Sequence, residues 1–461
     1  MGELEEAIDF YHSLLTDEVG IESQRQLTRQ LHHRRLFFGE RPLCTVLRPR
    51  FLTHAQYRQI RRAIREIMPA FAKAQRVALQ DKTFRRQFGL TPWEEELIQV
   101  DPGFNASSPM SRMDSFFTAD APPPLPEDTG LRIFFAEYNA ETPAAAAYND
   151  VLSEVFLALP VMGAFQRRYE VHPLPGRHHV LHALLDAYRQ WGGKEQPRIA
   201  ILDWREVPTY SEFMLFQDYF ASQDFECVIA DPRQLEYRHG ELLVDGITPV
   251  HLVYKRVLLS ELVTREGIDH PVIRAVREGS VCMVNPFRCK LLHKKASFAV
   301  LSDEDNAHLF NATERQAIAD YIPWSRVVKE RTTLYEGKKI DLLPYVSQHK
   351  DQFVLKPNDE YGGKGVVLGW ECDQEKWDDT LQTALVEPYV VQQRICIPSE
   401  AYPSLVEEQV QIYNRMIDTN PFIWYGDYVS GCLTRLSTVE LLNVTAGGGS
   451  MVPSFLIEKR S

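Results

Sequence analysis

The sequence predicts a mixed α/β (α+β) fold with a helical N-terminal region, a Rossmann-like unit and a strand-rich final third. Three observations carry this. Apolar residues recur at helical spacing within residues 25–87, short apolar runs alternate with helical segments over 197–286, and strand-like runs fill much of the remainder. A chain of 461 residues is long enough for about three structural units. The changes of texture divide it at 1–105, 106–196, 197–286 and 287–461.

Composition narrows the class. There are 51 basic and 63 acidic side chains, a net charge of −12, with 44% hydrophobic and 25% charged residues. Those proportions exclude a wholly disordered or fibrous chain. No run approaches the roughly 20 apolar residues of a membrane span, and the start, Met1 to Glu6, is acidic where a signal peptide would be basic and then apolar. A cytoplasmic protein without membrane association is expected. Cys44, Cys227, Cys282, Cys289, Cys372, Cys396 and Cys432 are odd in number and form no CxxC pair, so reduced thiols are expected rather than disulfides or zinc ligands.

Residues 25–87 hold 16 Lys and Arg against three acids, Glu40, Glu66 and Asp81, a net of +13. Tyr57, Ile60, Ile64 and Met68 fall at helical spacing with Arg58, Arg61, Arg62 and Arg65 between them, the pattern of an amphipathic helix with a solvated basic face. Such charge also suits an anionic ligand, but no nucleic-acid module accompanies it and none is expected to bind. Thr53 and Gln56 form a capping box at the helix start, and Pro69 is expected to bend or end it.

Arg112–Phe117 and Leu131–Ala136 read as strands either side of a Pro-rich loop at 121–126, free to pair. Helical material follows from about Tyr148 to Gln190 and stops at Gly192-Gly193. From Pro197, strands at 198–204, 226–230, 241–244, 251–257 and 281–284 form a parallel-leaning series. A helix capped by Thr209 and Glu212 reaches about Gln223. The unit lacks GxGxxG, so dinucleotide binding is not indicated. The final third offers strands at 353–357, 365–369, 389–395, 409–417 and 421–425, with a helix at about 374–386.

Phe353–Gly369 is the sharpest local signal. An apolar strand delivers Lys356, and a loop with Gly362, Gly363, Lys364 and Gly365 turns into a second strand. Glycines let backbone N–H groups converge on phosphate oxygens while a lysine supplies a point charge, a combination suited to a triphosphate. GxxxxGK[ST] and its following helix are missing, so this is no P-loop. Taken alone, the same residues also make an ordinary Gly-rich hairpin with an exposed Lys364.

The strand lysine, glycine hairpin, helix and then Tyr389-Val-Val-Gln-Gln-Arg-Ile395 resemble the nucleotide half of an ATP-grasp fold. The resemblance makes Gln392, Gln393, Arg394 and Ile395 the adenine hinge, and asks for a second lysine upstream, for which Lys295 is the candidate. Magnesium needs hard oxygen ligands near the phosphates. Downstream, Asp418, Asp427, Glu440 and Asn443 offer no acidic-x-Asn pair. Upstream stand Ser111-Arg-Met-Asp114 and Ala136-Glu-Tyr-Asn139. Residues two apart on a strand share a face, so Arg112 points with Asp114, and Glu137 with Asn139. Each piece alone also reads as a surface ion pair.

This order of parts resembles the circularly permuted ATP-grasp proteins, among them the synthetase domain of glutathionylspermidine synthase. Arg112-x-Asp114 and Glu137-Tyr-Asn-Ala-Glu141 come first, then Leu252-Val-Tyr-Lys255 in the Rossmann-like pre-ATP-grasp layer. Lys295-Ala296, Lys356-Pro357 and Gln392-Gln393 follow in register. The resemblance implies an ATP-grasp fold over about 110–461 and an ATP- and Mg2+-dependent ligase joining a carboxylate to an amine through an acyl phosphate.

It further implies two magnesium ions on Asp114, Glu137 and Asn139, phosphate contacts from Lys295, Lys356 and the Gly362–Gly365 loop, and adenine in the hinge. Arg112 and Arg435 would stabilise charge on the transferred phosphoryl, and Glu400 would take the ribose hydroxyls. The sequence departs from the synthase in its longer Pro-rich loop, its glycine-richer hairpin and its segment Asn443–Gly449, and no N-terminal cysteine amidase module is recognisable in these residues. Glutathione and spermidine are therefore not the expected substrates; a small-molecule or peptide carboxylate and an amine are. An ATP sensor without turnover and a phosphotransferase are the other classes compatible with these parts.

Overall fold

The computed structural model describes residues 2–120, 125–360, 362–439 and 449–460. Among these, the largest sheet has nine strands. Its spine runs Ser399–Val406, Gln409–Ile417, Tyr428–Ser437, Asn420–Trp424, Met110–Thr118 and Arg132–Asn139. Early and late parts of the chain thus share one sheet: Arg112 pairs with Phe422 on one side and with Asn139 on the other. Ser450–Lys459 lies against Tyr428–Ser437 and extends beyond it to pair with Arg50–Leu52 and Tyr169–Pro173.

A second, antiparallel sheet of four strands carries Phe353–Pro357 between Tyr389–Gln393 and Val367–Leu368, with Ser325–Val327 at its edge. The helix Gln374–Thr383 covers it with Trp377 and Leu381, both buried in one apolar cluster with Phe353 and Leu355. The third layer is parallel: Cys282–Val284, Leu252–Lys255, Ile199–Leu202 and Cys227–Ala230, in that spatial order. The strand read at 241–244 is not part of it. Its residues belong to a separate antiparallel meander, Leu235–Arg238, Glu241–Val244 and Thr248–Val250.

The N-terminal region is mainly helical, with Glu3–Leu14, Asp17–His33 and His54–Gln80 as its long elements. The capping box at Thr53 forms, each residue's side chain accepting from the other's backbone N–H at 3.0 and 3.1 Å. Pro69, however, neither ends nor divides the helix, which runs through it to Gln80. Pro69 sits on the exposed side, while Ile60, Ile64, Ile67 and Phe71 are fully buried against the Met110–Thr118 and Arg132–Asn139 strands. Burial of about 1.5–3 kcal/mol for each such side chain outweighs the roughly 3 kcal/mol cost of an interior proline. Arg58, Arg61, Arg62 and Arg65 lie on the solvent side.

Two other local readings are corrected. The segment read as helical over 148–190 is three helices, Ala146–Leu157, Pro160–Phe165 and Arg177–Trp191, interrupted by the strand Tyr169–Pro173. Thr209 does precede a helix, Tyr210–Ser222, but makes no side-chain cap. Glu212 is instead fully buried, accepting from Arg256 at 3.1 Å and from the backbone N–H of Ala147. No described helix is long and apolar enough to cross a membrane, and all seven cysteines are free thiols.

Candidate active site

A cavity of about 560 Å3 lies where the three sheets converge. The Met110–Thr118 and Arg132–Asn139 strands form one wall. Their register sets Arg112 opposite Asn139 and Asp114 opposite Glu137, so all four side chains reach the same face and line the cavity. Between Asp114 and Ser115 the ladder slips by one residue, leaving Ala136 as the extra residue of a β-bulge. Its carbonyl, freed from the ladder, accepts from Lys356 Nζ at 3.1 Å.

Asp114 is the hub of this wall. One carboxylate oxygen accepts from Arg112 Nε at 3.0 Å and Asn139 Nδ2 at 2.9 Å, the other from Arg435 at 2.6 Å. Burial pushes its acidity towards the neutral form, but the two guanidinium groups prevail and hold its pKa below the usual carboxylate range. Arg435 in turn donates to Asp418 at 2.6 Å, and its backbone N–H donates to the same carboxylate at 2.7 Å. Asp418 is therefore a support beneath Arg435, a role no local pattern in the sequence announces.

Glu137 pairs with Lys295 at 3.0 Å. Against the effect of burial, that ammonium, helped by Lys356, keeps its pKa below the usual range. Lys295 also donates to the Glu360 carbonyl at 2.5 Å, linking the wall to the glycine loop. Asn358 fixes this approach: its side chain accepts from the Ala296 N–H, and its carbonyl accepts from the Lys295 N–H.

The opposite wall is the second sheet. Val354 and Lys356 are two apart on one strand and Gln392 stands opposite Val354, so these three side chains share the cavity face. Lys356 donates to Gln392 Oε1 at 2.7 Å, and Gln392 Nε2 donates to Ser325 Oγ at 3.1 Å. Both ends of the Gln392 amide are thus engaged in holding the lysine. Burial, reinforced by Lys295 and opposed by Glu137, brings the Lys356 pKa down to about 8. Gln393, Ile395, Gly362 and Gly363 line the cavity as well, beside the apolar surfaces of Leu368, Trp370 and Ile397.

Other nominated residues lie elsewhere. Lys364 is exposed and paired with Glu360, and Gly365, at φ +71°, abuts Pro357 and Tyr389 outside the cavity lining. Arg394 leaves the cavity lining and sits over the Trp370 ring at 4.1 Å. Glu400 is not at the cavity. It is clamped by Arg48 and Arg50, two buried arginines of the N-terminal region, which corrects its assignment to a ribose. Asp427 is also absent from the lining, and Glu440 and Asn443 lie outside the described residues.

Beneath the cavity floor is a charge network that the spacing of motifs did not reveal. Glu141 is fully buried and accepts from Lys255 at 3.2 Å, Lys290 at 3.2 Å and the Leu259 N–H at 2.7 Å. Lys290 also contacts Asp359 at 2.6 Å and Glu94 at 3.5 Å, and Lys294 joins Glu94 at 2.7 Å. Of the neighbouring Lys294 and Lys295, only Lys295 lines the cavity.

Among the described residues no group of three His, Cys, Asp or Glu side chains is arranged to hold a metal ion. Asp114, Glu137 and the Asn139 amide oxygen form a smaller set of hard donors on one face. It fits Mg2+, which takes one or two carboxylates and completes its shell with water and phosphate oxygens.

Residues 131–437 match the family model for circularly permuted ATP-grasp type 2. Among solved structures, a glutathione synthetase-like effector from Globodera pallida, in apo form, aligns over 96% of this chain and 98% of its own, with a TM-score of 0.60 and 11% identity. At that identity the likeness concerns the fold. No curated protein matches the sequence.

Proposed function

Because the chain belongs to the circularly permuted ATP-grasp family, type 2, we propose that it is an ATP- and Mg2+-dependent ligase that joins a carboxylate to an amine. One observation carries the reading. A single cavity unites Asp114 and Glu137 from the early strands with Lys295, Lys356 and Arg435 from the later chain. Anionic and cationic groups interleaved in this way suit a triphosphate with its metal.

In this reading Asp114, Glu137 and Asn139 hold Mg2+, which when bound neutralises charge on the phosphates. Lys295 and Lys356 take phosphate oxygens, and the backbone at Gly362 and Gly363 approaches them without side-chain hindrance. Arg435, aligned by Asp418, and Arg112 offset charge on the transferred phosphoryl. The adenine lies among Val354, Leu368, Trp370 and Ile397, with Gln393 and Ile395 at its edge. Gln392 orients Lys356. The carboxylate becomes an acyl phosphate and the amine displaces the phosphate, with the protein contributing position and charge. Nothing in the cavity singles out glutathione or spermidine.

The test is amine-dependent ADP release from the full chain over a panel of carboxylates and amines. A ligase releases ADP only when both partners are present, and Asp114→Asn lowers kcat/KM by about a hundredfold or more while far-ultraviolet dichroism is unchanged. ADP release indifferent to the amine would turn the assignment to a phosphotransferase, and full activity in Asp114→Asn would remove the metal assignment.

A further inference from the structure

The cavity has a second end, away from the lysines, and it belongs to the parallel layer. In that sheet Ile199–Leu202 is followed by Cys227–Ala230 on one side and then by Leu252–Lys255 on the other. The order reverses between Ile199–Leu202 and Leu252–Lys255. Open parallel sheets bind ligands in the crevice at such a reversal, beyond the carboxyl ends of the strands. The residues immediately beyond these two strands are Asp203 and Arg256, and both line the cavity.

The charge at this end is acidic. Arg256 is already matched: its guanidinium donates to Glu212 at 3.1 Å and to the Tyr254 hydroxyl at 3.2 Å. Asp203, only 7% exposed, receives a hydrogen bond from the N–H of the next residue, Trp204, at 2.8 Å and, among the described residues, forms no ion pair within 4.0 Å. Glu261, on the helix Leu259–Glu266, lines the same end. Phe38, Val207, Pro208 and Leu258 add apolar surface to the cavity lining. A nearly buried carboxylate whose attracting arginine, Arg256, is already engaged by Glu212, in a cavity continuous with the proposed phosphoryl site, is suited to a further cation from outside the chain.

We propose that this end is the acceptor subsite and that it takes an ammonium-bearing substrate, held by the carboxylates of Asp203 and Glu261. The inference deepens the ligase reading by naming the charge class of the amine partner, and it rests on that reading for the word acceptor. Burial brings Asp203 up to about 6, against the pull of Arg256, so the group is ionised at neutral pH and able to receive the ammonium.

Three probes of one length and different charge test it: 1,5-diaminopentane, 1,5-pentanediol and glutarate, each titrated calorimetrically into the full chain with and without Mg2+ and ADP. The diamine should bind saturably and at least tenfold more tightly than glutarate or the diol. Asp203→Asn and Glu261→Gln should each weaken it at least tenfold, with thermal unfolding reporting that both variants fold. Glutarate binding as tightly as the diamine, or diamine affinity unchanged in both variants, would overturn the proposal. ADP binding in the same titrations reports separately on the nucleotide reading, so the two can fail independently.

Discussion

Replacing Glu141 by Gln removes one negative charge from beneath the cavity floor, and the structure says where the loss will fall. Lys290 keeps Asp359 at 2.6 Å and Glu94 at 3.5 Å. Among the described residues Lys255 keeps as hydrogen-bond partner only the Val257 carbonyl, at 3.3 Å, and it is itself buried. Breaking a buried pair from one side costs about 3–5 kcal/mol, because the remaining charge is left uncompensated. Glu141→Gln should therefore lower stability by about 4 kcal/mol, nearly a thousandfold in the unfolding equilibrium.

Lys255→Met in the same chain removes the stranded ammonium, and about 2 kcal/mol should return as coupling between the two sites. Urea unfolding followed by tryptophan fluorescence, compared at constant m-value, measures both effects. A double variant no more stable than the sum of its single losses would refute the account. An unaltered midpoint for Glu141→Gln would do the same.

Two further outcomes follow from the cavity walls. Nucleotide phosphates favour protonated Lys356, so ADP affinity should fall about tenfold per pH unit above about 8, while Lys356→Met binds at least tenfold more weakly at pH 7 and without that slope. The effect on folding has the opposite sign. The folded pKa lies below the unfolded value near 10.5, so this group's contribution to stability is complete above that pH and is lost as pH falls through about 8. An affinity level from pH 7 to 9.5 in the parent chain would dismiss the assignment. Gly365→Ala should destabilise by about 1–2 kcal/mol and weaken ADP, because φ is +71° and the added Cβ would lie 2.7 Å from Pro357 Cγ, beside Lys356. Urea midpoints and ADP titrations check it, and a variant matching the parent in both would contradict it.

The parts of the cavity that were legible in the sequence are those whose geometry is local. Alternation along a strand is enough to put Arg112 with Asp114 and Glu137 with Asn139, and an apolar strand carrying Lys356 before glycines is enough to single out a lysine that lines the cavity. Residues whose partners lie far along the chain were not legible. Glu400 stands within reach of the hinge in sequence, yet Arg48 and Arg50, some 350 residues earlier, claim it. Asp418, Glu94 and Asp359 have meaning only once Arg435, Lys290 and Lys294 are beside them. The short strand Tyr169–Pro173 escaped because its pattern is weak and its pairing partner is Ser450–Lys459. Pro69 misled because tertiary burial overrode a local preference.

The slip at Ala136 gives a single strand two opposite parities. Counting back from Asn139 by twos reaches Glu137 and would next reach Phe135 and Ile133, sending two large apolar side chains into a polar chamber. Instead Phe135 and Ile133 are buried with Phe71 and Ile318 on the far face. The surplus residue lets oxygen donors and core-forming aromatics occupy odd-numbered positions of one strand and still part company. Lengthening or shortening this stretch by one residue would therefore exchange the wet and dry faces on one side of the change, a constraint on chain length that no single side chain discloses.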